Sequence, residues 1–205
     1  MSCNALICID IQNDFCPGGA LAVQEGDAII ARVNQMIAEA KARGDAIVLT
    51  QDWHPANHAS FADNHDAGQA FDMVEMFYGP QVLWPTHCVQ GSDGALFHAN
   101  LATDHADLVI RKGFRATIDS YSAFFENDQT TPTGLHGYLQ ERGMTKLTLV
   151  GLATDYCVAF SALDGARLGY DVSVDMAACR AIDLDGSLDA QIAAMREAGI
   201  TLMNL

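Results

Sequence analysis

The chain has 205 residues, half of them apolar and 18% charged, which suits one globular domain with a sizeable core and argues against disorder. Its 26 acidic side chains outnumber 11 basic ones, and a formal charge of −15 disfavours phosphate backbones and anionic lipid, so no nucleic acid and no membrane partner is expected. No apolar run reaches the roughly 18 residues of a membrane span, and acids interrupt MSCNALICIDIQNDF before a signal-peptide core is complete. The six cysteines lack CxxC spacing, so a cytoplasmic protein with reduced thiols is expected.

In chain order, ALICID (5–10) is a short apolar run ending in an acid, the pattern of a parallel strand buried on both faces with its carboxyl end at a site. In GDAIIARVNQMIAEAKARG the apolar Ile29, Ile30, Val33, Met36 and Ile37 recur at helical spacing, and Gly44 supplies a stop. DAIVLTQDWH reads as the next strand. From His54 to Asp107 the pattern fails: aromatic residues, histidines and GQAFDMVEMFYGP give no regular element. A structureless connection of that length is usually functional where it occurs, and the loop region at about 52–107 holds the best metal-binding side chains. Beyond it come strand ADLVIRKG, helix GLHGYLQERG, strand KLTLVG and a helix from about Thr154 to ARLG. Strand YDVSVDM, helix SLDAQIAAMREAG and strand ITLMN complete the series. This alternation predicts one α/β domain, 1–205, with a parallel sheet covered on both faces and ligands beyond the carboxyl ends of its strands.

Asp10, Asp52, His54, Lys112 and Cys157 all fall at or just after such ends. A free cysteine is usually a small buried hydrophobe. Cys157, in GLATDYCVAF (151–160), stands where a strand gives way to a helix, and unpaired N–H groups and the helix dipole there would lower a thiol's pKa. A nucleophile also needs a base and an orienting cation. Asp10 and Lys112 are the charged pair that strand ends would bring to the same edge, one from each side of the cysteine. Each alone is commonplace; their convergence carries the functional reading. QDWHPANH supplies Asp52, His54 and His58, and WPTHC adds His87, carboxylate and imidazole donors that suit zinc, iron or manganese. His65, His98, His105 and His136 read as ordinary hydrogen-bonded surface groups. Phe15, Trp84 and Tyr121 flank the acid, metal and cation segments and would together form a slot for a flat ring.

Six stretches, IDIQNDFCPGGALAV, TQDWHPANHASF, LWPTHCVQGSDGALFH, RKGFRATIDSYSAF, VGLATDYCV and SALDGARLGYDV, resemble in order the successive motifs of the nicotinamidases (pyrazinamidases) among the isochorismatase-like cysteine hydrolases. The resemblance implies a three-layer α/β/α fold with a six-stranded parallel sheet. It implies hydrolysis of nicotinamide to nicotinate and ammonia, and of pyrazinamide to pyrazinoate, in NAD salvage. Carried over by position, the catalytic residues are Asp10, Lys112 and Cys157, and a cis peptide at Leu152–Ala153 aims the Ala153 N–H, with that of Cys157, at the oxyanion. Asp52, His54 and His87 hold one divalent transition metal ion, zinc first and iron or manganese after it. His58 either joins them or supports the loop, with the second favoured. Phe15, Trp84, Tyr121 and Tyr156 surround the small-molecule substrate, and a homo-oligomer is left open.

Three other readings compete. The nearest is another hydrolase of the superfamily, such as an isochorismatase or an N-carbamoyl amidase, and isochorismatase-type members would not be expected to carry DWH together with WPTHC. A silent binding protein would be expected to have lost the cysteine, acid or lysine, and a thiol redox protein would need a resolving cysteine near Cys157.

Overall fold

Alternation along the first strand separates two cores. In β1 (Asn4–Ile9), Ala5, Ile7 and Ile9 join one buried cluster while Leu6 and Cys8 join another, the period-2 geometry of a strand covered on both faces. The first cluster takes in Leu135 and Leu139 of α2 (Leu135–Glu141), Ala159 and Ala162 of α3 (Ala159–Arg167) and Met195 of α4 (Ser187–Glu197). The second takes in Ile30, Val33 and Ile37 of α1 (Ile30–Arg43) and Ile29 just before it, with Met36 packed against the cluster, the stripe that the helical spacing predicts, and it adds Ala40. Gly44 ends α1 in a left-handed conformation, its N–H donating to Ala40 and Lys41 carbonyls. The computed structural model, which describes residues 3–205, is thus a three-layer α/β/α sandwich. Met1 and Ser2 of the expected domain lie outside the described residues.

The central sheet joins β1 to β2 (Ala46–Asp52), β5 (Leu108–Lys112), β6 (Lys146–Leu152), β7 (Asp171–Arg180) and β8 (Thr201–Met203). Its order is β5–β2–β1–β6–β7–β8 and every pairing is parallel, as expected. The chain builds outward from β1 through β2 to β5 and then returns to the far side of β1 with β6. The switch point, where ligands of such sheets bind, therefore lies between the carboxyl ends of β1 and β6. Asp10 follows the first strand and Cys157 follows the second. Gly151, paired with Ile9, is required there: its φ is 123°, and a Cβ would collide with the Ile9 carbonyl oxygen.

Three expectations need correction. The stretch between His54 and Asp107 contains a two-stranded antiparallel hairpin, β3 (Met73–Met76) with β4 (Gly79–Val82). No residue of β3 is fully buried, so it shows no core-facing alternation to read. Strand β7 continues four residues beyond YDVSVDM to Arg180. The helix expected from Thr154 opens as a π-helical turn, Thr154–Val158, and becomes α-helical only at Ala159. Among the described residues no helix is long and apolar enough to cross a membrane.

Candidate active site

Lys112 ends β5, directly beside Asp52 at the end of β2. Two strand steps, about 10 Å at the usual spacing, separate β5 from β1, and the Lys112 and Asp10 side chains meet across them. Its ammonium, with the residue only 1% exposed, lies 2.8 Å from Asp10 Oδ2, donates to Ser120 O at 2.8 Å and to Cys157 Sγ at 3.4 Å, and pairs with Asp52 Oδ1. Asp10 and Lys112 thus reach the cysteine from the same side of β6, not from opposite sides as expected. The lysine is long enough to make the flanking arrangement unnecessary. Burial alone would drive a proton off Lys112; Asp10, Asp52 and Cys157 reverse that and hold its pKa well above the ordinary value.

Asp10 adopts a left-handed backbone (φ 47°), which re-aims its carboxylate as the strand ends. Thr50 of β2 donates to its Oδ1 at 2.6 Å and accepts the Asp10 N–H at 3.1 Å. Oδ2 has the Lys112 ion pair but no aligned hydrogen-bond donor among the described residues. A carboxylate oxygen of Asp10, one of Asp52 and the Cys157 sulfur all lie within 4.8 Å of one another. Burial raises the Asp10 pKa above the carboxylate norm, with Lys112 opposing and Asp52 reinforcing, which makes it a stronger base than an exposed carboxylate.

The Leu152–Ala153 peptide is cis, as the resemblance implies. The Ala153 carbonyl receives the Tyr156 and Val158 N–H groups at 3.2 and 3.1 Å, closing the turn that carries Cys157. Here the expected thiol electrostatics fail. Burial pushes the Cys157 pKa well above the ordinary thiol value, Asp10 and Asp52 add to the rise, and only Lys112 lowers it. The group therefore rests as a thiol whose proton must be taken by a neighbour, rather than as a thiolate stabilised by a helix dipole.

Asp52 directs its other oxygen, Oδ2, toward His54 Nε2 at 3.6 Å and His87 Nε2 at 3.9 Å. The three donor atoms lie within 4.8 Å of one another, and all three residues are buried. His54 Nδ1 meets Gly113 O at 2.8 Å and His87 Nδ1 meets Pro85 O at 2.7 Å. Each ring is thereby oriented with Nε2 free, the outer-shell arrangement of metal-ligating imidazoles, so the donor set fits a divalent transition ion. Gly113 (φ 65°) permits this packing, since a Cβ there would strike the His54 ring. Burial and the His54 charge lower the His87 pKa to about 4, keeping it neutral, and Lys112 with the imidazoles holds Asp52 ionised despite its burial. His54 is raised by Asp52 against burial, so a cation would compete there with a proton.

His58 is engaged elsewhere. Its Nδ1 accepts the Ser60 N–H at 3.2 Å and meets the Ser60 hydroxyl at 2.7 Å, while Nε2 donates to Ile118 O at 3.2 Å. A second donor group, His54, His58 and Asp119, also falls within 4.8 Å, so proximity alone would admit His58; its hydrogen bonds favour the loop-supporting role. The bland reading suits the other histidines: His65 Nε2 meets Ala59 O at 2.7 Å, His105 meets Lys41 and His136 meets Tyr170 at 2.8 Å each, and His98 accepts the Asn100 N–H at 3.2 Å.

A cavity opens over these groups, lined by Cys157, Ala153, Asp52, His54 and His87 together with Phe15, Trp84, Tyr121 and Tyr156. Trp84 packs edge-on to Tyr156 with ring centroids 4.8 Å apart, and Tyr121 sits edge-on to Tyr156 at 5.5 Å, so these aromatic rings brace one another as a wall of the cavity. Leu21, Asp119 and Ile182 also line it and were not legible as site residues. Gln81, from β4, is the hidden support of this wall. Its Nε2 lies 2.8 Å from both Asp119 Oδ2 and Tyr121 OH, and its Oε1 accepts from Asn127 at 3.0 Å. Gln12 plays the same part for the acids, donating to Asp52 O and Ala95 O at 2.9 Å and accepting the Asp52 N–H at 2.8 Å.

A buried thiol with a carboxylate and an ammonium in reach, set at the switch point of a parallel sheet, is the arrangement that nucleophilic hydrolysis on an α/β fold requires. The chain belongs to the isochorismatase family, whose domain matches residues 4–205. It is 52% identical to a nicotinamidase of Acinetobacter baylyi over 96% of this chain and 90% of that protein. A solved nicotinamidase/pyrazinamidase of Acinetobacter baumanii superposes with a TM-score of 0.95 at 50% identity, over 98% of this chain and 95% of that one. A pyrazinamidase of Pyrococcus horikoshii solved in complex with zinc gives a TM-score of 0.80 at 35% identity over the whole of both chains.

Proposed function

We propose that this chain is a single-domain amidohydrolase that converts nicotinamide to nicotinate and ammonia, and pyrazinamide to pyrazinoate, through an acyl-thioester on Cys157, serving NAD salvage in the cytoplasm. The observation that carries the reading is Lys112, whose ammonium touches Asp10, Asp52 and Cys157 together and so ties the nucleophile, its base and the cation-binding carboxylate into one unit. The nicotinamidase relatives support the substrate.

In this mechanism Asp10 takes the Cys157 proton while Lys112 holds the pair in register. The thiolate attacks the carboxamide carbon, and the N–H groups of Ala153 and Cys157 stabilise the tetrahedral oxyanion, an effect worth roughly 3 kcal/mol per donor in comparable sites. Asp10 then protonates the departing ammonia. Next it deprotonates the water that attacks the thioester carbon, and as the C–S bond breaks nicotinate leaves and Asp10 returns the proton to the Cys157 sulfur. Phe15, Trp84, Tyr121 and Tyr156 hold the flat ring, and their apolar faces exclude water from it. Asp52, His54 and His87 would hold one divalent ion, for which the zinc-bound Pyrococcus horikoshii relative favours zinc over iron or manganese. When bound, that ion supplies a Lewis-acid grip for the substrate's ring nitrogen.

The test compares nicotinamide with benzamide, which keeps the carboxamide and the ring but lacks the pyridine nitrogen. Purified protein should release ammonia from nicotinamide and prefer it to benzamide by roughly tenfold to a hundredfold, the value of one contact of 1.4 to 3 kcal/mol. Chelation should shrink that gap. No ammonia from nicotinamide contradicts the function, and equal cleavage of both amides, slowed equally by chelator, moves the ion to the reaction centre. A further variant checks the ligand set: His58→Ala should retain its metal by elemental analysis while His54→Ala loses it. A His58→Ala protein as empty as His54→Ala would add His58 to the ligands.

A further inference from the structure

Asp155 lies two residues before the nucleophile, yet its carboxylate points away from the chemistry. It is 1% exposed and accepts two hydrogen bonds from the β7–α4 loop, Ile182 N–H at 3.0 Å and Asp183 N–H at 2.7 Å, and a third from the hydroxyl of Ser187 at the start of α4. That loop is conformationally demanding, since Asp183 (φ 56°), Asp185 (φ 51°) and Gly186 (φ 81°) are all left-handed within four residues. Left-handed backbone is uncommon for residues with a Cβ, and a loop holding two of them needs outside support. Both ends of the clamp reach the cavity, because Ile182 and Tyr156 line it beside Cys157 and Ala153.

We propose that Asp155 is the positioning residue of the substrate wall: its carboxylate fastens the β7–α4 loop onto the nucleophile turn and so seats Ile182 and Tyr156 around the substrate ring. It touches neither the reacting atoms nor Lys112. Its effect on catalysis passes through the wall, and the proposal rests on the nicotinamide reading for the identity of that ring. Loss of the clamp weakens binding of the ring more than it slows the chemistry at Cys157.

Asp155→Asn keeps the size of the side chain but turns an amide N–H₂ toward donors that need an acceptor. It should raise the nicotinamide KM about tenfold while kcat stays within about threefold, and Ser187→Ala should raise KM less, by about threefold. Ile182→Ala should raise KM by itself, and adding Asp155→Asn to it should change KM by less than about a further threefold, because two residues acting through one contact are not additive. Amide hydrogen exchange at Ile182 and Asp183 reads the clamp without substrate and should accelerate in Asp155→Asn and Ser187→Ala. Unchanged exchange, unchanged KM, a kcat loss at constant KM, or fully multiplicative effects in the double variant overturns the proposal. Should Asp155→Asn fail to fold, Ser187→Ala decides by the same KM and exchange criteria. Wild-type protein that releases no ammonia contradicts the nicotinamide reading instead, and the exchange measurement then judges the clamp by itself.

Discussion

Cys157→Ala is expected to lower ammonia release from nicotinamide by at least about a thousandfold, the scale on which nucleophile removal acts in comparable covalent hydrolases. The loss is chemical. Alanine removes only a sulfur atom, and Lys112 keeps its contacts with Asp10, Asp52 and Ser120, so the thermal midpoint should move little. Metal content should be unchanged because Asp52, His54 and His87 are untouched. The other buried thiols give the contrast. Burial pushes Cys8 and Cys179 to about 12 and Cys16 to about 11, and none of them lines the cavity. Cys157 is also held protonated, but it alone among these has a carboxylate of raised basicity within reach. Retention of substantial turnover by Cys157→Ala, measured as kcat/KM, would remove the thioester from the mechanism.

Asp10→Asn is expected to cost roughly a hundredfold to ten-thousandfold in kcat, the contribution of a positioned general base. The amide can still accept the Thr50 hydroxyl through its oxygen, so the strand end should keep its shape. What it cannot do is take the thiol proton. Since burial holds that proton on Cys157, no other group close to the sulfur can replace the base: Asp52 is held ionised by Lys112 and the imidazoles, and a carboxylate so stabilised is a poor base. Lys112 retains Asp52 as a counter-charge, which limits the stability loss. Near-normal turnover by Asp10→Asn would place the base elsewhere.

The core and the strand ends were legible because they obey short periods. ALICID and KLTLVG announce buried strands, and Ile29 to Ile37 announce one face of a helix, so the sheet and the acids at its edge follow from local pattern. The β3–β4 hairpin was illegible because β3 has no fully buried residue and the two buried residues of β4, Gln81 and Val82, are consecutive and one of them polar, so neither strand writes an apolar alternation. Which side of Cys157 Lys112 comes from depends on strand order, which no local stretch contains. The raised pKa of the thiol has no local signal, because position at a turn is legible in the sequence while burial beside two carboxylates is not. Asp155, Gln12 and Gln81 escaped for another reason. Each is a polar hub with side-chain partners as far as 27 to 83 residues away, and hydrogen bonds at such separations leave no periodic trace.

The acyl-enzyme itself gives the most direct test. Wild-type protein mixed with nicotinamide, quenched in acid during turnover, digested and read by mass spectrometry should show one nicotinoyl group on the peptide containing Cys157. The adduct should disappear on treatment with hydroxylamine and be absent from Cys157→Ala. Ammonia release at full rate with no such adduct at any quench time, or with the adduct on another residue, would contradict the account.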